Sequence, residues 1–120
     1  MMNHVSLMGR LTATPEIRTT SNDTHVTAFS IAVDRNYKVD GEQVTDFINV
    51  VAWRQMADFI CDYFEKGQMI AIEGEIQTRK YEDKNGELRT AVEVNVVRAH
   101  FAGSKPEWQQ DSRAKNRRYR

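Results

Sequence analysis

One cysteine, Cys61, stands among 120 residues, so no intrachain disulfide can form and the chain suits a reducing compartment. It falls in a stretch of helical spacing with no His or Asn motif beside it, and reads as a small packing residue rather than a nucleophile. No apolar run approaches the roughly 20 residues that a membrane-spanning helix needs. The opening Met1–Gly9 is too short for a secretory signal, and Arg10 interrupts it. Histidine is equally sparse. His4, His25 and His100 are scattered, none with a partner at metal-ligand spacing. A Gly-rich phosphate loop and a Ser or Cys nucleophile motif are missing too. The best remaining catalytic pair is Glu73 and Glu75, same-face neighbours on a strand, but solvated strand-face carboxylates are far commoner. These absences argue against an enzyme, a metal site, an organic cofactor and a membrane protein.

What is present divides unevenly. Residues 102–120 carry six basic side chains against two acidic ones, a net +4, which leaves −4 on the rest. A basic tail on a mildly acidic body suggests an arm attracted to phosphate; a merely solubilising terminus is the competing reading. The length fits one domain able to bury its own core. The expected division is a domain over residues 1–103 and a short, basic, disordered tail over 104–120.

Five strand-like stretches organise that domain. The first spans about 3–11, where Val5, Leu7, Gly9 and Leu11 alternate with polar neighbours. A loop with Pro15 and a turn at Ser21–Thr24 follow. The second strand, 25–36, alternates Phe29, Ile31 and Val33 with Ala28, Ser30 and Ala32, and the third is 46–53. Met56, Phe59, Ile60, Tyr63 and Phe64 then recur at helical spacing, predicting a helix over 55–65 closed by Lys66 and Gly67. Strands over 68–81 and 88–101 flank an Asn85-Gly86 turn. Three strands, a helix and two strands is the order of the all-β, five-stranded Greek-key barrel called the oligonucleotide/oligosaccharide-binding (OB) fold.

The third strand is the most informative. Side chains alternate across a strand, so Ile48, Val50 and Ala52 form a core stripe while Phe47, Asn49, Val51 and Trp53 share the other face. Phe47 and Trp53 stand roughly 20 Å apart at the usual strand rise. That is too far to stack on each other, and suitable for two bases of one extended strand. Burial in the core or a subunit contact is the plainer explanation for either ring taken alone. Further rings come with cations: Tyr37 lies between Arg35 and Lys38, Trp53 precedes Arg54, and Tyr81 follows Arg79 and Lys80. Rings for bases and cations for backbone are what sequence-tolerant single-strand binding requires. A barrel that docks replication proteins and touches DNA weakly is the rival from another class.

The stretches Asn3-His-Val-Ser-Leu-Met-Gly-Arg-Leu-Thr12, Pro15-Glu-Ile-Arg18, Phe29-Ser-Ile-Ala-Val-Asp34, Thr45-Asp-Phe-Ile-Asn-Val-Val-Ala-Trp53, Lys66-Gly67, Glu73-Gly-Glu-Ile-Gln-Thr-Arg-Lys-Tyr81 and Thr90-Ala-Val-Glu-Val94 occur in order over residues 3–101. In these the chain resembles the bacterial and phage single-stranded DNA-binding protein family. The resemblance implies a non-enzymatic OB barrel that coats single-stranded DNA in replication, recombination and repair, assembles usually as a homotetramer, and works in the bacterial cytoplasm or nucleoid. It assigns base stacking to Tyr37, Phe47, Trp53 and Tyr81, and backbone tracking to Arg18, Arg54, Lys66, Arg79 and Lys80. Two departures stand out. A basic end replaces the acidic tip by which bacterial members recruit partners, which puts such recruitment in doubt. Tyrosine stands at 37 and 81, where tryptophan would offer more stacking area.

Overall fold

Period-two alternation of β-branched and aromatic residues against small or polar ones drives most of this chain into strands. The computed structural model describes residues 1–103; the tail, with Trp108, lies outside the described residues. The elements are β1 (Val5–Leu11), β2 (Arg18–Thr19), β3 (His25–Val39), β4 (Glu42–Trp53), α1 (Gln55–Tyr63), β5 (Met69–Glu82) and β6 (Leu88–Phe101). The strands hydrogen-bond in the order β1-β5-β6-β4-β3-β2, and an added β1–β3 pairing at Arg10 and Leu11 closes the ring. Leaving aside β2, a two-residue strip on the edge of β3, this is a five-stranded barrel with the OB order. All neighbours run antiparallel except β4 and β6, which meet in parallel at only two positions, Val50↔Val94 and Val51↔Asn95.

Leu11, Phe29, Ile31, Val50, Ala52, Ile70, Ile72, Val94 and Val96 fill the interior. The helix caps one end, burying Ala57 and Ile60. It stops at Tyr63, two residues earlier than the spacing predicts. Phe64 is already extended (φ −126°, ψ 146°), because leaving the helix aims its ring into the core, where it stacks on Phe101 at 4.8 Å between centroids. Gly67 therefore does not cap the helix. Its N–H donates to the Leu11 carbonyl at 2.8 Å, in the turn that leads into β5.

Closing so small a barrel needs strands that approach without side chains between them. Gly9 and Gly74 provide this. A Cβ on Gly9 would stand 2.6 Å from the Ala32 carbonyl oxygen, and one on Gly74 would collide with the Asn95 carbonyl. Gly74 also adjoins a bulge where the β5–β6 register shifts after Glu73. Beyond the barrel β3–β4 and β5–β6 continue as two long hairpins; on the second, Val92 is exposed although it keeps step with buried Val94 and Val96.

Candidate nucleic-acid interface

Directly opposed residues of an antiparallel pair point to the same side. The register places Val26 opposite Trp53, Ala28 opposite Val51, Ser30 opposite Asn49 and Ala32 opposite Phe47. The outer face of β3–β4 is thus a strip with a large ring at each end and small side chains from β3 between them. Arg18 on β2 pairs with Val26, in the same row as Trp53, two strand spacings or about 10 Å away. On the far side, the Val51↔Asn95 and Asn95↔Glu75 pairings carry this face across the parallel junction onto β6 and β5. There Gln77, Arg79 and Tyr81 follow by alternation.

All four rings singled out from the sequence are open to solvent: Phe47 is 70% exposed, Tyr37 59%, Trp53 43% and Tyr81 43%. Their burial in this chain's core is excluded. Ring–ring contacts among the described residues join Phe59, Tyr63, Phe64 and Phe101 at the helix end and involve none of the four. Tyr37 does not share the β4 strip directly; it lies on the outer part of the β3–β4 hairpin, within the register shift between Asp34 and Lys38.

The cations are less uniform than their spacing suggested. The Arg35 guanidinium donates from Nε and Nη2 to the two Asp46 carboxylate oxygens at 2.9 and 3.1 Å, and from Nη1 to the Tyr37 hydroxyl at 3.2 Å. Its hydrogen bonds hold the Asp46 carboxyl below its ordinary range, and the pairing with Asp46 raises the guanidinium in turn. Arg79 donates to Glu93 at 2.8 Å and lies over the Tyr81 ring at 5.6 Å. Lys80 pairs with Thr90 and, by alternation, faces away from Arg79 and Tyr81. Lys38 lies opposite Gln43 near a hairpin tip. Lys66 follows the helix, its N–H donating to the Thr14 hydroxyl at 3.0 Å; no strand pairing puts it on the ringed face.

Asp40, Glu42, Glu82, Asp83 and Glu87 gather at the two hairpin ends, so much of the body's negative charge stays off the Phe47–Trp53 strip. Arg89 at 2.9 Å holds the Asp83 carboxyl below its usual range. Glu73 and Glu75 do not form a carboxylate pair at work: Glu73 meets His100 at 3.0 Å, a hydrogen bond that lowers its pKa. Burial raises the Cys61 thiol, which favours the unreactive form.

Next to Trp53 an open cleft of about 570 Å³ is lined by His25, Arg54, Gln55 and Asp58 among others. Arg54 holds φ 58° and ψ −127° there, a region that suits glycine. Its N–H donates to the His25 carbonyl at 2.8 Å, and its own carbonyl accepts from Asp58 N–H at 3.1 Å. Such strain costs on the order of 1–3 kcal/mol. Set against glycine's greater unfolded-state freedom, Arg54→Gly is expected to gain about 1 kcal/mol. The melting temperature should rise by about 4–8 °C; a lowered melt would mean that the residue carries no strain for glycine to relieve.

The sequence pattern of the single-strand binding protein family matches residues 2–102. The chain belongs to that family. A single-stranded DNA-binding protein of Clostridium tetani is 48% identical over 101 residues, covering 83% of this chain and 70% of the relative. One from Caldanaerobacter subterraneus is 40% identical over 116 residues, 89% of this chain and 77% of the relative. Single-stranded DNA-binding protein 3 of Streptococcus agalactiae is 38% identical over 117 residues, 97% and 85% respectively. The family is one of DNA-binding proteins and not of enzymes. No helix among the described residues is long and apolar enough to cross a membrane.

Sequence reasoning missed the carboxylates that engage the arginines. Asp46 sits 11 positions from Arg35 and Glu93 sits 14 from Arg79. Only strand register brings them together, and an acidic residue on the returning strand of each hairpin was the one available sign.

Proposed function

We propose that this protein binds single-stranded DNA without reading its sequence, and so coats and protects exposed strands during replication, recombination and repair. The observation that carries this is the outer face of β3 and β4: Phe47 and Trp53 flank a floor of Ala28, Ser30 and Ala32, with Arg18 level with Trp53. Every base offers a π-face, so rings bind bases whatever their identity. Tyr81 extends the platform onto the β5–β6 hairpin, and Tyr37 adds a ring on the other side of the β3–β4 hairpin. Arg18, Arg54 and Lys38 supply charge for the backbone, Arg18 and Arg54 nearest to Trp53, while Lys66 and Lys80 stand off this face and serve a strand that wraps beyond it. Self-association, as a homotetramer, is part of the same reading. Along Val5–Arg10 the first strand pairs with β5 on one edge, whereas only Arg10 and Leu11 pair with β3 on the other. Most of that second edge is left to join another strand, beside the exposed Met8.

Titrating the full chain with labelled oligo-dT of several lengths, while following its mass in solution, tests both parts. The logarithm of affinity should fall linearly with the logarithm of salt concentration, by about 0.7 per phosphate neutralised. A flat salt response would remove the electrostatic half of the reading. A monomer mass throughout would remove the tetramer.

A further inference from the structure

The two long hairpins carry the same arrangement twice. Each outgoing strand bears an arginine and, two positions on, a tyrosine: Arg35 and Tyr37 on β3, Arg79 and Tyr81 on β5. Each returning strand bears a carboxylate that grips the arginine, Asp46 on β4 and Glu93 on β6. In both, the guanidinium lies against the tyrosine, 5.6 Å from the Tyr81 ring centre and 6.0 Å from that of Tyr37, where Nη1 also donates to the hydroxyl. The grip is geometric as well as electrostatic. Asp46 takes two donors of Arg35 in a fork, and the Glu93 side chain, only 16% exposed, is a firmer anchor than a solvated carboxylate.

We propose that Arg35 and Arg79 back the tyrosine rings instead of contacting phosphate, and that Asp46 and Glu93 are positioning residues which hold them there. The inference rests on the reading of both hairpins as surfaces for single-stranded DNA. Arg79 and Tyr81 share the Trp53 side, whereas Asp46 opposes Val33 and so Arg35 and Tyr37 stand on the other side of the first hairpin. An arginine clasped by a carboxylate is an almost neutral pair and offers little to a phosphate. To reach one, Arg35 would have to give up a bidentate bond. Over the Tyr81 ring the guanidinium covers one π-face and leaves the other for a base. At Tyr37 the bond from Arg35 to the hydroxyl sets the guanidinium toward the ring edge and leaves the faces to a base. Either contact also restricts the ring before DNA arrives, so less freedom is lost on binding. The site at Tyr81 becomes a stack of base, tyrosine and guanidinium, with the carboxylate behind. Charge and shape then make opposite predictions for the same residues. A phosphate contact needs only a positive charge, which lysine keeps. A backing group needs the planar fork, which lysine lacks.

The test is a titration of labelled oligo-dT at several salt concentrations with three double variants of the full chain. Arg35→Lys with Arg79→Lys should weaken binding about as much as Arg35→Ala with Arg79→Ala, by roughly 5- to 150-fold because two rings are then ordered only on binding, and neither should change the salt slope. Asp46→Asn with Glu93→Gln should also weaken binding, although it removes two negative charges from a DNA-binding surface. As a matched control, Glu42→Gln with Glu82→Gln removes two charges from the same hairpins. Neither glutamate makes an ion pair among the described residues, and this pair should tighten binding. The proposal is overturned if the alanine pair flattens the slope by about 1.4, two phosphates' worth, while the lysine pair restores it. It is overturned equally if Asp46→Asn with Glu93→Gln tightens binding as the control does. A parent chain that fails to bind oligo-dT at all would sink the single-strand reading itself, and this proposal with it.

Discussion

Replacing Phe47 and Trp53 together by alanine is expected to weaken oligo-dT binding by roughly 2–6 kcal/mol, at least about 30-fold, while the domain stays folded. Each stacked base contributes about 1–3 kcal/mol by alanine substitution. Neither ring is in the core, and the buried stripe of β4 is formed by Val50 and Ala52 on its other side. Truncating the outer residues therefore creates no interior cavity. The expected signature is a large loss of affinity with a melting temperature within a few degrees of the parent. A cooperative unfolding loss instead would assign the rings to structure. Trp53 also reports on itself. Its fluorescence should be quenched by oligo-dT in the parent, and measuring this in a Trp108→Phe background removes the only other tryptophan.

The second large effect runs the opposite way, on stability and not on the binding chemistry. Gly74→Ala should cost about 3 kcal/mol or more, lowering the melting temperature by roughly 10–20 °C. The added Cβ would collide with the Asn95 carbonyl, a backbone atom that cannot swing aside as a long side chain can. Asn95 is one of the two residues of β6 that meet β4, so relieving the clash pulls at the junction between the two hairpins. Thermal or urea unfolding checks this. A melt unchanged by Gly74→Ala would show that β5 and β6 can part there without penalty.

Much of the architecture was legible because burial has the period of a strand. Phe29, Ile31, Val50 and Ala52 lie inside as their alternation requires, and the fifth expected strand, 88–101, begins and ends where the structure has it. What was not legible came from partners distant in sequence. The strip at Arg18–Thr19 is too short to have a period, and it is a strand only because His25 and Val26 lie beside it. The helix was expected to run to residue 65, but the pull of Phe101 on Phe64 ends it earlier. At the candidate site the exposed rings and the Trp53 strip follow from parity along one strand. Lys80 shows the limit of adjacency: next to Tyr81 in sequence, it faces the opposite side of the sheet. The clasping of Arg35 and Arg79 needed register, which local composition does not encode.

The parallel junction of β4 and β6 has a mechanical consequence. With only two paired positions, it is as thin a weld as the β1–β3 closure, and each hairpin is sewn together far more firmly than it is sewn to its neighbour. A polynucleotide draped from Tyr81 to Phe47 would cross that weld and act as a splint. Loading the strand would then stiffen the cylinder as far as Val94, whose buried side chain no nucleobase can touch.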